Sequence, residues 1–255
     1  MNNISIHFEG LSHAYRPGQW IFREYSASVA SGTVVALLGP NGCGKTTLLK
    51  ILLGALKPSA GSTSIRGRVA FVPQLFQVSF DYSVLDMVLM GRSRHVKLFS
   101  QPSAQDERAA LAALERFGIA DFAARPFHEL SGGERQLVVF ARALVSEADV
   151  LILDEPTSAL DLKNQQLILQ WIGRLTHDMG LTILLTTHHA HHAMAIADEV
   201  LLMMGGPHFV FGSAEETLTE RNLRDLYGVD MKRISFDYAG RTIETLAPVF
   251  TRTNG

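Results

Sequence analysis

Thr33-Val34-Val35-Ala36-Leu37-Leu38-Gly39-Pro40-Asn41-Gly42-Cys43-Gly44-Lys45-Thr46-Thr47 sets the architecture of the chain. Thr33 to Leu38 is an apolar run of strand length, suited to a strand covered on both faces. Thr46 to Leu53 then reads as a helix, halted near Pro58. Between them, Gly39 to Thr46 fits G-x-x-x-x-G-K-[ST]. Glycines there let consecutive backbone N–H groups converge on phosphate oxygens, and the helix start adds the positive end of its dipole. Lys45 supplies a mobile charge for β- and γ-phosphates, and the Thr46 hydroxyl can ligate Mg²⁺.

Beyond this loop the chain alternates strands and helices. Ser5 to Phe8 and Ser26 to Val29 alternate as β-structure around a turn near Pro17-Gly18. Arg68 to Val72 is a further strand ending at Pro73-Gln74. Strand character returns at Val150–Leu153, Thr182–Leu185 and Glu199–Leu202, with a helix from Leu162 to Thr176 between the first two. From about Val78 the pattern is helical: Ser83 caps Val84 to Met90, and Ser103 with Asp106 forms a capping box before Ala109 to Phe117. Gly118 stands where a helix C-cap belongs, and another helix opens at Ser131-Gly132-Gly133 and runs to about Val145. Residues 234–245 read as a small hairpin around Gly240. The expected architecture is a single α/β domain with a mostly parallel sheet, an antiparallel β subdomain and an all-helical insert. Residues 1–77 and 149–255 form the core and 78–148 the insert.

Composition narrows the class. The 255 residues carry 23 Lys and Arg against 25 Asp and Glu, a net charge of −2, which argues against a nucleic-acid partner. Hydrophobic residues make up 47% and charged ones 19%, so the chain has enough apolar surface for a full core. No run of about 18 apolar residues exists to span a bilayer, and a surface that docks on something apolar is the expected outlet. A single cysteine excludes internal disulfides and suits a reducing compartment. An N-terminus with neither basic region nor apolar signal core reads as cytosolic.

The second chemical element is the end of the Val150–Leu153 run, which closes on Asp154-Glu155. Carboxylates at the C-terminal edge of a buried parallel strand lie where open α/β sheets bind ligands. Asp154 suits a Mg²⁺ shell, and Glu155 suits a base or positioner for an attacking water. A third element, Leu130-Ser131-Gly132-Gly133-Glu134-Arg135-Gln136, joins a serine hydroxyl and glycine amides at a helix start, again an anion site.

Together these three elements resemble the ATP-binding subunits of ABC transporters, and the likeness covers nearly the whole chain. The resemblance implies a phosphate-loop ATPase that uses ATP and Mg²⁺. It implies nucleotide contacts from Tyr15, against adenine, and from Gly39, Pro40, Asn41, Gly42, Cys43, Gly44, Lys45, Thr46 and Thr47. Ser158 to Asp161 is similar to the D-loop, and Ser131, Gly132, Gly133 and Asp161 would reach the nucleotide of the opposite subunit. Gln74 matches the Q-loop glutamine and His188 the switch histidine. Glu155, His188 and Gln74 would be catalytic, with Thr46, Gln74 and Asp154 around Mg²⁺. The implied assembly is a head-to-tail homodimer closing on two ATPs.

Tyr82 to Arg92 resembles the stretch found in importer ATPases for metal chelates (iron siderophores, haem, cobalamin). Some molybdate and tungstate importers share it. Leu218–Leu223 and Leu226–Val229 resemble the tail of that group. The implied partners are polytopic permease subunits contacting the insert near 82–92, and a periplasmic or extracellular substrate-binding protein. The implied location is peripheral, on the cytoplasmic face of the inner membrane. A scaffold or clamp ATPase is the competing class; chromosomal clamps carry long heptad repeats, which this sequence lacks. His188-His189-Ala190-His191-His192 invites a metal reading, but with no Cys or carboxylate at ligand spacing the plainer expectation is one switch histidine beside polar surface residues.

Overall fold

The computed structural model describes residues 3–74, 81–96 and 100–250. The expected start of the insert at 78 therefore falls outside the described residues. Two compact units divide the chain, Met1–Arg66 with Ile172–Gly255, and Gly67–Trp171.

In the first unit β1 (Ile4–Arg16) and β2 (Gln19–Ala30) pair antiparallel around the expected turn at Pro17-Gly18. All five residues of β3 (Val34–Leu38) are buried, at a gain of about 1.5–3 kcal/mol for each large side chain. Next come α1 (Lys45–Leu52) and β4 (Ala60–Ile65), the latter pairing with β1 to complete an antiparallel sheet in the order β2-β1-β4.

The second unit holds β5 (Val69–Val72), α2 (Val84–Leu89), α3 (Ala104–Arg116), α4 (Gly132–Val145) and β6 (Val150–Leu153). β5 and β6 pair in parallel. Three helix starts here share one device. Ser83 with Asp86, Ser103 with Asp106 and Ser131 with Glu134 each form a reciprocal capping box. α3 opens directly after Ser103, five residues ahead of the Ala109 that its apolar pattern suggests, because the cap sets the start. It closes through Gly118 N donating to Glu115 O and Ile119 N to Leu114 O. The helices bury Met87, Val88, Leu114, Val138 and Phe140.

A buried Arg92 ties these helices together. Its Nε donates to Asp106 Oδ1 at 2.9 Å, and its Nη1 to Val145 O at 3.1 Å and Glu147 Oε1 at 2.6 Å. The chain leaves this unit within α5 (Leu162–Met179).

Back in the first unit come β7 (Thr182–Thr187), α6 (Ala190–Ile196), β8 (Glu199–Gly205) and β9 (His208–Ser213). β3 lies between β7 and β8, parallel to both, and β9 closes that edge antiparallel to β8. Asp198 accepts the Val34 N–H at 2.8 Å and so pins the start of β3. Two short helices, α7 (Ala214–Thr217) and α8 (Glu220–Tyr227), lead to the expected hairpin, β10 (Met231–Tyr238) with β11 (Arg241–Pro248). Among the described residues no helix is long and apolar enough to cross a membrane.

Candidate functional site

The loop after β3 is a turn made by close packing. Gly44 holds φ +107°, and a Cβ there would stand 2.4 Å from Ile21 Cγ2, so both backbone and space require glycine. Cys43 is buried, and burial pushes its thiol up, so it is mostly un-ionised at neutral pH. The Lys45 ammonium, also buried, reaches back across the loop and donates to Gly39 O at 2.8 Å and Pro40 O at 3.2 Å. α1 starts on Gly44 with no side-chain cap and no acid in its first turn. No carboxylate of its own therefore stands at the positive end of this helix, an arrangement that suits an anion there.

Tyr15 lies beside this loop on β1. Its hydroxyl is 3.0 Å from Thr47 Oγ1, and its ring meets His13 edge-on at 4.9 Å while remaining 61% exposed. An exposed ring anchored at its hydroxyl end presents a face for a planar base to stack on.

In the second unit the buried β6 runs into Asp154, whose N–H donates to Val72 O at 2.9 Å and extends the β5–β6 ladder by one residue. Glu155 then takes a left-handed backbone, φ +47°, at a cost of about 1–3 kcal/mol for a non-glycine residue. Local bonds hold it: Ser158 N and Oγ both donate to Glu155 O, at 3.2 and 3.1 Å. Gln74 Nε2 donates to Glu155 Oε2 at 3.1 Å and to Ser158 Oγ at 3.1 Å. A strained acid is thus oriented by an amide from the end of β5 and braced by a serine three residues on. The family resemblance pointed to Gln74 and the acidic strand end to Glu155, but neither indicated the brace from Ser158. Its one signal in the sequence is a hydroxyl at the spacing of a serine turn.

The start of α4 is arranged otherwise. Ser131 N and Oγ both donate to Glu134 Oε2 at 2.8 Å, while Glu134 N returns to Ser131 Oγ at 3.4 Å. Those bonds, the backbone one foremost, hold the Glu134 carboxyl below its ordinary value. Gly133 packs against α5: a Cβ there would sit 2.4 Å from Asn164 Cγ. Asp161 caps α5 by accepting the Asn164 N–H at 2.8 Å. Leu162 beside it is 82% exposed.

His188 comes after β7 and stands outside α6, which opens at Ala190 behind His189. His188, His191 and His192 therefore do not share one helix face. The ring centroids of His188 and His189 are 4.0 Å apart, and those of His191 and His192 are 4.4 Å apart. Burial, reinforced by the neighbouring rings, lowers His189 and His192 to about 4, so both are neutral near pH 7. Among the described residues no group of three or more His, Cys, Asp or Glu is disposed to hold a metal ion.

Residues 22–158 match the family described as ABC transporter. The chain is 38% identical over 248 residues to the molybdate import ATP-binding protein MolC of Haemophilus influenzae, covering 97% of this chain and 98% of that protein. It is 36% identical over 232 residues to an iron chelatin transport ATP-binding protein of Helicobacter pylori, covering 85% and 91%. A solved structure of a metal-chelate type ABC transporter in an inward-facing conformation superposes with a TM-score of 0.93 at 38% identity, covering 97% of this chain and 98% of that one.

Proposed function

The chain belongs to the ABC transporter family, and we propose that it is the ATP-hydrolysing subunit of an importer for molybdate or a metal chelate. The cargo class rests on the names carried by its relatives. An ATPase subunit of this kind does not touch the cargo, so no residue of the candidate site encodes it.

The observation that carries the chemistry is the pairing of Gln74 with a strained, braced Glu155. In this reading the loop N–H groups and the Lys45 ammonium bind the β- and γ-phosphates, and Lys45 exchanges its contacts with Gly39 O and Pro40 O for phosphate oxygens. Tyr15 stacks on the base. Glu155 takes the proton of the attacking water, while Gln74 keeps its carboxylate oriented. His188 meets the γ-phosphate. The hydroxyl of Thr46, the amide oxygen of Gln74 and the carboxylate of Asp154 are hard oxygen donors and fit Mg²⁺, which they would hold. When bound, the ion supplies charge neutralisation on the phosphates.

Two copies would close head to tail, with Ser131, Gly132, Gly133 and Asp161 of one completing the nucleotide site of the other. ATP then drives closure because it bridges both halves only in the shut state. A permease seated on 82–92 would feel that closure, and a separate binding protein would deliver cargo. This places the subunit peripherally at the cytoplasmic face of the inner membrane.

Reconstitution with the permease in proteoliposomes tests the proposal: uptake of labelled molybdate or ferric siderophore should require ATP and stop in Glu155→Gln. A subunit that hydrolyses ATP but joins no polytopic membrane protein would overturn the importer assignment.

A further inference from the structure

We propose that the C-terminal assembly of α8 with the β10–β11 hairpin is a strut for the loop bearing His188, and that Tyr227 is the positioning residue. This rests on the reading of His188 as the residue that meets the γ-phosphate.

The link is one directed bond. The Tyr227 hydroxyl donates to the His188 carbonyl oxygen at 3.2 Å. That carbonyl belongs to the planar 188–189 peptide, so holding it restricts ψ of His188 and φ of His189. The direction in which the imidazole leaves the backbone is thereby narrowed. A second bond fixes the same peptide from its other side, since His189 N donates to Thr187 Oγ1 at 3.0 Å on the fully buried β7. Close packing does not do this job on the tail side. A pocket of about 210 Å³ lies there, lined by His188, His189, His191, Tyr227, Met231 and Pro248 among others. Where side chains leave such a space, orientation depends on hydrogen bonds rather than on contact.

The strut itself is stiff enough to serve. Thr219 caps α8 by accepting Asn222 N–H at 3.1 Å, and Leu223 and Leu226 are buried beneath it. Glu220, in its first turn, accepts from Lys232 Nζ at 2.8 Å and from Arg233 N at 3.1 Å, tying the helix to β10. Arg233 Nη2 reaches Leu218 O at 3.2 Å. Met231 and Leu246 are buried, anchoring one strand each of the hairpin. Burial also raises the Tyr227 phenol above its ordinary value, so the donor keeps its proton throughout the range in which ATPases work.

The test compares steady-state ATPase kinetics of the full chain with Tyr227→Phe, His188→Ala and the double variant. Tyr227→Phe keeps the ring and removes only the hydroxyl, so the thermal midpoint should stay put. Its kcat should fall about three- to ten-fold with KM for ATP unchanged, as expected for loss of one neutral hydrogen bond. His188→Ala should lose far more, and adding Tyr227→Phe to it should cost nothing further, because no imidazole remains to be aimed. Wild-type kcat in Tyr227→Phe, or an additive loss in the double variant, would overturn the strut while leaving the role of His188 intact. Normal turnover in His188→Ala would instead remove the role on which the inference stands.

Discussion

Two helix starts carry the proposed nucleotide contacts of this protein, and they are built in opposite ways. α1 opens on Gly44 with no side-chain cap and no acidic residue in its first turn. α4 opens on Ser131, whose hydroxyl and N–H are both engaged by Glu134, as in the boxes that begin α2 and α3. A helix start with no capping carboxylate binds an anion without first displacing one. A closed box must first give up a donor. On this contrast the proposed function makes α1 a standing phosphate site of a single chain. It makes α4 a conditional one, stable by itself and recruited only when the Ser131 hydroxyl finds an acceptor better placed than the Glu134 carboxylate. A conditional second site is what a dimer that opens and closes on nucleotide requires.

The largest effect should separate nucleotide binding at α1 from hydrolysis. Glu155→Gln keeps the bond from Gln74 possible but removes the base, so turnover should fall about 10²- to 10⁴-fold while ATP affinity holds. Gel filtration with ATP should then show an accumulated dimer, and adding Ser131→Ala should dissolve it. A dimer that persists without the Ser131 hydroxyl would erase the distinction, since α4 would not be a nucleotide contact. Lys45→Ala comes next: deleting a charge that meets phosphate should weaken ATP binding about a hundred-fold, measured by calorimetry on the single chain. Undiminished affinity would show that α1 is not the standing site.

How far such features were legible depended on their range. The β3–loop–α1 unit, the Ser83 cap and the capping box of Ser103 with Asp106 could be read directly because each is set by residues within a few positions of one another. β4 could not: Ala60-Gly61-Ser62-Thr63-Ser64-Ile65 has the composition of a loop and is a strand only because β1 offers it a ladder. β9 was missed for the same reason, as an edge strand that exists through its pairing with β8. At the candidate site, residue types pointed to Glu155 and Ser131 as chemical groups, and the family resemblance pointed to Gln74. Their partners were invisible. The left-handed backbone of Glu155, the brace from Ser158 and the grip of Glu134 on Ser131 depend on backbone path and side-chain direction, which spacing alone does not fix. The histidine run shows the same limit: five neighbouring residues give no sign of where a helix starts, and α6 takes in only His191 and His192 of the four histidines.

A pair of matched variants tests the two kinds of helix start more finely. Ser131→Ala and Ser103→Ala each remove a serine from a capping box, so each should cost about 1 kcal/mol of stability in denaturant melts. Only Ser131→Ala should also slow turnover, by about ten-fold or more for loss of an oxyanion donor. In mixed dimers with one Lys45→Ala subunit, the defect should appear only when the Ser131 change sits opposite the intact phosphate loop. Equal turnover in the two serine variants would reduce Ser131 to a cap.

The smallest effect concerns pH, and it distinguishes the helix starts by a property only one of them has. Bonds from Ser131 hold the Glu134 carboxyl below its ordinary value, so the unfolded chain takes up its proton at higher pH than the folded one. The box therefore contributes its full stability above the ordinary glutamate range and loses it as pH falls through the lowered folded value. An anion at a helix start is worth about 0.3–1 kcal/mol, which sets the scale. Glu134→Gln, which keeps an acceptor for Ser131 but cannot ionise, should flatten the decline of stability as pH falls through and below the ordinary glutamate range, relative to the unaltered chain. α1 has no acidic residue in its first turn, so no change at its start should alter that slope. Melts that decline identically with and without the Glu134 carboxylate would mean that the charge on the box contributes nothing. The Glu134 carboxylate would then add nothing to the start of α4 that the acid-free start of α1 lacks, and the contrast between a conditional site and a standing one would vanish.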